Sequence, residues 1–468
     1  MIISKEMRMM LETQISDAMV QMKIPGLAIA LIKKGQIVYE RGFGTKDFFK
    51  NYPVKQPVKP ETIFEIGSIS KSFTALAIMQ LQAMEKLKVN DPVNKHLPWF
   101  DLGNPDKPIQ IHHLLTHSSG IPDLGGALIT MSSAIEMGSE IPMIPYSSLE
   151  DFQLHINGAQ SEIIFNPGEY YYYFNGGYYL LGLIISAVSG MPYEEYIHKH
   201  IFDPLEMTST CFPTHEFPDV DKTKHYQSKN GKIVEVPRTI DQISNPAGGI
   251  LSSVRDMTNY LKMFMDKGQF QGREFLSTEI ITQLTTPHKS INEMKSPVPF
   301  AEALPMYGYG WTIHGGFFGH TVVEHSGGTG GAYAHAFLIP DLQIGVIALS
   351  NIGIGPQHVY WQALALLMGK APADLQPSVP VPNLQKLIGK YANYKNIMKV
   401  EVSTRGDGLL YAEGAFIGKI TLIPDPSDKT GMTWLMTNPM GKMAVIFRED
   451  SEQRMHLIAD RLLFHKLN

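Results

Sequence analysis

Four prolines within thirteen residues, Pro372, Pro377, Pro380 and Pro382 between Ala371 and Asn383, constrain this chain more than any other feature. Proline fixes φ and removes a backbone donor, so neither a helix nor a central strand can run through such a stretch. It reads as a stiff, extended linker. The 468 residues therefore divide into a large segment, residues 1–370, the linker 371–383, and a small segment, residues 384–468. With 44% hydrophobic and 18% charged residues, there is enough apolar material to bury a sizeable core.

Within the large segment, Gly26–Gly44 reads as a β-hairpin: Leu27–Ile32, a turn at Lys33–Gln36, then Ile37–Arg41. A helical stretch, Ser68–Leu87, carries apolar Leu76, Ile78, Met79, Leu81 and Met84. Helices and long loops follow to about residue 300, including Leu180–Ser189 and Ser253–Met265. Strand character returns at Val322–His325, Ala334–Leu338 and Gly345–Leu349, before a helix near Val359–Met368. Strands at both ends of a helical middle predict an α/β domain: an antiparallel sheet flanked by helices, with a helical insert over one side of a cleft. After the linker, short strands at Val400–Val402, Leu409–Tyr411, Lys419–Ile423, Met443–Phe447 and His456–Ile458 alternate with turns. That pattern predicts a small antiparallel β-barrel.

Composition narrows the partners. Net charge is −5 and no basic run exceeds the pair Lys33–Lys34, which argues against a nucleic-acid surface. Apolar stretches such as Leu180–Val188 are too short to span a bilayer. Cys211 is the only cysteine, so no intrachain disulfide can form. Residues Met1–Glu12 mix charges with methionines and show no secretory signal pattern. These features together predict a cytoplasmic enzyme.

Three short motifs carry chemistry. Ser68-Ile-Ser-Lys71 is the only Ser-x-x-Lys in the chain. At a helix start, this spacing sets hydroxyl and amine on one face about one turn apart. Serine needs a base within hydrogen-bond reach to become a nucleophile, and lysine serves only if burial or nearby positive charge lowers its pKa. Composition alone yields roughly one such tetrapeptide in a chain this long, so the motif needs company. Tyr173-Phe-Asn175 offers a phenol to move protons and an amide to orient the lysine or a substrate, although Tyr391-Ala-Asn393 and Tyr394-Lys-Asn396 share the pattern. His325-Ser326-Gly327 opens a glycine run that lets substrate approach the backbone, although His314-Gly-Gly316 also fits.

The order of these motifs, with 105 residues from Ser68 to Tyr173 and 152 from Tyr173 to His325, resembles the class C β-lactamase and penicillin-binding-protein-like serine hydrolases. The segments Thr62–Thr74, Ile111–Asp123, Pro167-Gly168, Gly248–Met257 and Tyr309-Gly-Trp311 resemble further hallmarks of that family. The resemblance covers about residues 10–370. It implies Ser68 as nucleophile, Lys71 as its partner, Tyr173 as the proton-transfer group, and Asn175, His325, Ser326 and Gly327 as substrate-binding residues. The backbone N–H groups of Ser68 and Gly328 would form the oxyanion hole. No metal and no cofactor are implied. Whether Lys71 or Tyr173 takes the first proton stays open.

Antibiotic-hydrolysing members carry Lys-Thr-Gly at the third motif, where the lysine helps hold a substrate carboxylate. Here His325 and Ser326 stand in that place, as in related esterases and D-amino-acid-specific peptidases. The expected reaction is therefore acyl transfer to water from a small ester, with peptide cleavage second and β-lactam hydrolysis or DD-carboxypeptidase activity behind. A non-catalytic scaffold of the same fold is the alternative from another class, and a homo-oligomer is compatible with any of these. The C-terminal segment resembles lipocalin-like tails on some relatives. His113 and His117, four apart, suggest a shared helix face suited to a metal, but no His-Glu-x-x-His accompanies them. No Gly-x-Ser-x-Gly elbow is present. Met131, Met137 and Met143 suggest an adaptable cover over the cleft.

Overall fold

A computed structural model describes residues 3–50, 56–124, 148–213, 221–229, 232–237, 242–291, 305–370, 384–404, 409–414, 418–425, 428, 430–438, 441–459 and 462–467. The proline-rich stretch 371–383 and Met131, Met137 and Met143 lie outside them. The chain forms two compact units, Met1–Met368 and Gly369–Asn468.

The first unit is organised by an antiparallel eight-stranded sheet. Its strands are β1 (Gly26–Lys33), β2 (Gln36–Gly44), β3 (Lys289–Ser290), β4 (Met306–Tyr307), β5 (Thr312–Phe317), β6 (His320–Gly328), β7 (Tyr333–Ile339) and β8 (Ile344–Ser350). They lie in the order β2–β1–β8–β7–β6–β5–β4–β3, so the two ends of the segment meet where β1 pairs with β8, Leu27 opposite Ser350. The β1–β2 hairpin turns through Lys34 and Gly35, both at positive φ, as a two-residue loop matched to strand twist requires. Strands β7 and β8 are buried along their whole length because both faces are covered. Helix α4 (Val254–Met265) covers one face, capped by the Ser253 hydroxyl, which accepts from the Asp256 N–H. Helix α5 (Gln357–Leu367) covers the other, with Trp361 edge-on to Phe337 at 4.7 Å.

The predicted helix Ser68–Leu87 divides in the structure. A 3-10 turn, Gly67–Ile69, leads into α2 (Ser70–Ala83), and the chain leaves the helix where Glu85 adopts a φ of 57°. Ser70 to Leu81 are buried without interruption, since α2 runs through the middle of the core rather than along its surface. Helix α3 (Asn175–Ser189) packs beside it. Helix α1 (Lys5–Met22) has no counterpart in the sequence reading, and it buries only Leu11, Ile15 and Ala18.

The second unit closes eight antiparallel strands, from Gly389–Ala392 to Leu462–Lys466, into a barrel. Three of them, Gly389–Ala392, Thr433–Asn438 and Leu462–Lys466, add to the five read from the sequence. Tyr391, Val402, Trp434, Phe447, Leu457 and Phe464 fill its interior, each at most 3% exposed. Tyr391 is thereby a core residue, its phenol donating to the Leu387 carbonyl at 2.7 Å.

Candidate active site

Ser68 occupies the 3-10 turn at the mouth of α2 and is half-buried, whereas Lys71, one turn on, is fully buried. The Lys71 amine lies 3.0 Å from Ser68 Oγ, 2.7 Å from Asn175 Oδ1 and 2.9 Å from the Ala247 carbonyl. These three partners hold Nζ from three directions, and Asn175 reaches it from the first residue of α3. Burial pushes the amine well below the usual lysine range, against the opposing charge of Asp123. A neutral amine is thus favoured where a proton acceptor is needed.

Tyr173 approaches from the loop before α3. Its ring lies 4.7 Å from Lys71 Nζ. Burial raises the phenol above its usual value, and the nearby Ser68 hydroxyl only partly offsets this. In the resting site the tyrosine is therefore a protonated phenol. His117 fixes its position. The His117 carbonyl accepts the Tyr172 N–H at 2.8 Å, its Nδ1 accepts the Phe174 N–H at 3.0 Å, and its ring lies 4.3 Å from the Tyr173 ring. Because an amide N–H can only donate, Nδ1 is unprotonated and the ring's hydrogen sits on Nε2. Burial, then the charges of Lys71 and His325, hold His117 well below the usual histidine pKa.

The third motif ends strand β6. His325 is 5% exposed. Its Nδ1 donates to the Ser326 carbonyl at 2.6 Å. Burial pushes its pKa down to about 4, against the adjacent Glu324 charge, so the imidazole is neutral and Nε2 accepts the Tyr307 hydroxyl at 2.9 Å. Glu324 points to the opposite face, as alternation along a strand requires. There its carboxylate receives His314 Nε2 at 3.0 Å and His335 Nε2 at 2.7 Å. Burial raises its pKa, but these two bonds prevail and hold it well below the carboxylate range. Ser326, two residues after Glu324 on the same strand, shares Glu324's face of β6 rather than that of His325.

Two glycines let the nucleophile turn and β6 touch. A side chain on Gly67, which has a φ of 51°, would place Cβ 2.7 Å from the Gly328 nitrogen; one on Gly327 would meet the Ile66 carbonyl oxygen at 1.9 Å. Only glycine permits this approach. It brings the Ser68 and Gly328 backbones side by side.

His113 and His117 do not share a helix face. The helix there is Ile111–Leu115, and His117 follows it at a φ of 55°. His113 Nδ1 accepts the Gln110 N–H of its own helix cap at 3.0 Å. The sequence reading missed three contributors to the site: the Ala247 carbonyl, His117 and Tyr307. His117 figures in the sequence reading only as a candidate metal-ligand partner of His113, and nothing local marks the other two.

A sheet flanked by helices, with Lys71 Nζ 3.0 Å from Ser68 Oγ and 4.7 Å from the Tyr173 ring, is the arrangement of the β-lactamase and penicillin-binding-protein-like serine hydrolases. The chain belongs to the beta-lactamase family, whose model matches residues 11–368. A model of the Pab87 octamerisation domain matches residues 380–465. Protein flp of Staphylococcus aureus (strain MW2) is 27% identical over 352 residues, 75% of this chain, which spans 64% of that protein's length. Penicillin-binding protein 4* of Bacillus subtilis (strain 168) is 29% identical over 329 residues, 68% of this chain and 66% of that protein. Among solved structures, the octameric penicillin-binding protein homologue from Pyrococcus abyssi is 34% identical. It matches with a TM-score of 0.77, over 97% of this chain and 99% of that one.

Proposed function

We propose that the protein hydrolyses small esters through an acyl-enzyme on Ser68. The observation that carries this reading is the fully buried Lys71 amine 3.0 Å from Ser68 Oγ. The amine, lowered by burial, is the better base, and the Tyr173 phenol, raised by burial, is the better acid. Lys71 accordingly takes the Ser68 proton during attack on the acyl carbon, and Tyr173 protonates the leaving group. The N–H groups of Ser68 and Gly328 receive the oxyanion, and Asn175 orients Lys71. Water then attacks the acyl-enzyme by the reverse proton route, with neither metal nor cofactor in the scheme.

The neutral His325 supports uncharged esters over penicillins, because it offers no fixed cation for a substrate carboxylate. A panel of short p-nitrophenyl esters, D- and L-aminoacyl amides and a chromogenic cephalosporin tests the preference, alongside fluorophosphonate labelling. The ester is expected to give the highest kcat/KM, with the probe on Ser68. A faster cephalosporin or amide would replace the ester reading, and an unlabelled wild-type protein would favour a scaffold.

The same roles predict the effect of Tyr173→Phe. p-Nitrophenolate leaves without a proton, whereas an alkoxide or amine does not. Tyr173→Phe is expected to lower kcat/KM for an ethyl ester about 10²-fold more than for the p-nitrophenyl ester, within the range of general-acid catalysis. Equal losses on both would place the phenol elsewhere in the cycle.

We further read residues 384–468 as an assembly module. The match to an octamerisation domain and the octameric Pyrococcus abyssi homologue support a homo-oligomer. Light scattering is expected to find the full chain as a multimer and a chain ending near Ala371 as a folded monomer. A multimeric truncation would assign assembly to the large domain.

A further inference from the structure

We propose that Glu65 and Thr329 form a strut that sets the gap between the two N–H groups of the oxyanion hole. Both are then positioning residues for acyl transfer. The proposal rests on the assignment of Ser68 and Gly328 above and adds what holds them in place.

The problem the strut solves is visible in the sequence. Gly327-Gly-Thr-Gly-Gly331 contains a single side chain. Glycine has the widest backbone freedom of any residue, so this run cannot hold a donor in one place by its own conformational preferences. The β6–β7 ladder carries it as far as Gly328, opposite Tyr333, and the Thr329 N–H donates to the Ala332 carbonyl; Thr329 is the one side chain in the run that can be held as well. In the structure Thr329 Oγ1 donates to Glu65 Oε2. Glu65 is 2% exposed and lies three residues before Ser68, while Thr329 directly follows Gly328. The bond therefore ties the segment carrying one donor to the segment carrying the other, immediately beside both.

Glu65 is itself fixed. It belongs to a two-residue strand, Phe64–Glu65, paired with Leu251–Ser252, and its Oε1 lies 3.6 Å from Nδ1 of His225, which is 5% exposed. His225 also meets the far end of the glycine run, where a Cβ on Gly331 would come within 2.7 Å of its own Cβ. The run is thus tied at Thr329 to the carboxylate and packs closely at Gly331 against His225, whose ring lies beside that carboxylate. A carboxylate acceptor gives a stronger bond than a neutral oxygen, which suits a strut that must not stretch when charge develops on the substrate. Displacing a reacting group by about 1 Å can cost on the order of 10² in rate, so the gap has kinetic consequences.

Thr329→Val keeps the shape of the side chain and removes the donor; Thr329→Ser keeps the donor. The quantities to measure are kcat and KM for a p-nitrophenyl ester and the affinity of a boronic acid, whose tetrahedral adduct carries charge in the hole. Thr329→Val is expected to lower kcat at least tenfold with KM within about twofold, and to lose a similar factor in boronate affinity. Thr329→Ser is expected to restore both to within about threefold. A valine variant with wild-type kcat and boronate affinity overturns the strut, as does a serine variant impaired equally. Should Thr329→Val fail to fold, Glu65→Gln, with a weaker neutral acceptor, is read on the same quantities; no loss in either would overturn the proposal. Failure of the underlying assignment looks different: the wild-type protein itself would then bear no fluorophosphonate on Ser68.

Discussion

Ser68→Ala is expected to lower kcat for the best ester by on the order of 10⁴ or more, to abolish fluorophosphonate labelling, and to leave thermal stability nearly unchanged. The size follows from chemistry: without Oγ no acyl-enzyme forms, and the remaining groups can only assist water. The small effect on stability follows from the surroundings. Ser68 is half-buried and its hydroxyl shares one hydrogen bond with Lys71, donating to the neutral amine, while Asn175 and Ala247 continue to hold that amine. Losing one of three bonds at an accessible position costs about 1 kcal/mol, a shift of a few degrees for a domain this size. Steady-state kinetics, probe labelling and calorimetry on one preparation decide it. Residual turnover near wild type, or a label elsewhere, would remove Ser68 from the mechanism.

Lys71→Met is expected to lower kcat by about 10³–10⁴-fold, the contribution of a positioned base, and its effect on stability should depend on pH. Two terms oppose each other. The Asn175 amide oxygen and the Ala247 carbonyl lose their donor, at about 1–3 kcal/mol each, whereas the cost of burying an amine disappears. Burial lowers the folded-state pKa of Lys71 below its unfolded value. Between those values the unfolded chain binds the additional proton, so wild-type stability rises with pH. The burial cost is fully present below the folded pKa and gone above about 10.4, the unfolded value. Relative to Lys71→Met, the wild-type Tm should therefore climb as pH is raised from neutrality toward 10. A difference independent of pH would mean that Lys71 titrates as an ordinary surface lysine.

What the sequence revealed and withheld divides along a physical line. Spacing along one element is local, so Ser68 and Lys71 on one helical face, and Glu324 and His325 on opposite faces of a strand, could be read directly. The hairpin Gly26–Gly44 carried its turn residues, and the buried strands β7 and β8 their apolar runs. Tertiary partners carry no such mark. The Ala247 carbonyl meets Lys71 across 176 residues, and a backbone oxygen leaves no trace in residue type. Tyr307 joins His325 only because β4 and β6 flank the same strand, β5. Helix α1 escaped because its three buried residues make a stripe too narrow for a periodic signal. The predicted helix Ser68–Leu87 ran past both real ends, because its buried surroundings hide where a tight turn takes over.

The opposed side chains of β6 also restrict how this gene can change. Strand β6 presents Glu324 to the histidines His314 and His335 and His325 to Tyr307 and the Tyr173 ring. Removing or adding one residue upstream within the strand would exchange the two faces, sending a carboxylate toward Lys71 and an imidazole between two others. Substitutions can accumulate along β6 one at a time, but length changes there survive only in even steps or in the turn that opens the strand. Alignments of working descendants should accordingly show gaps at Phe318-Gly319 and an uninterrupted parity of residues from there to Thr329.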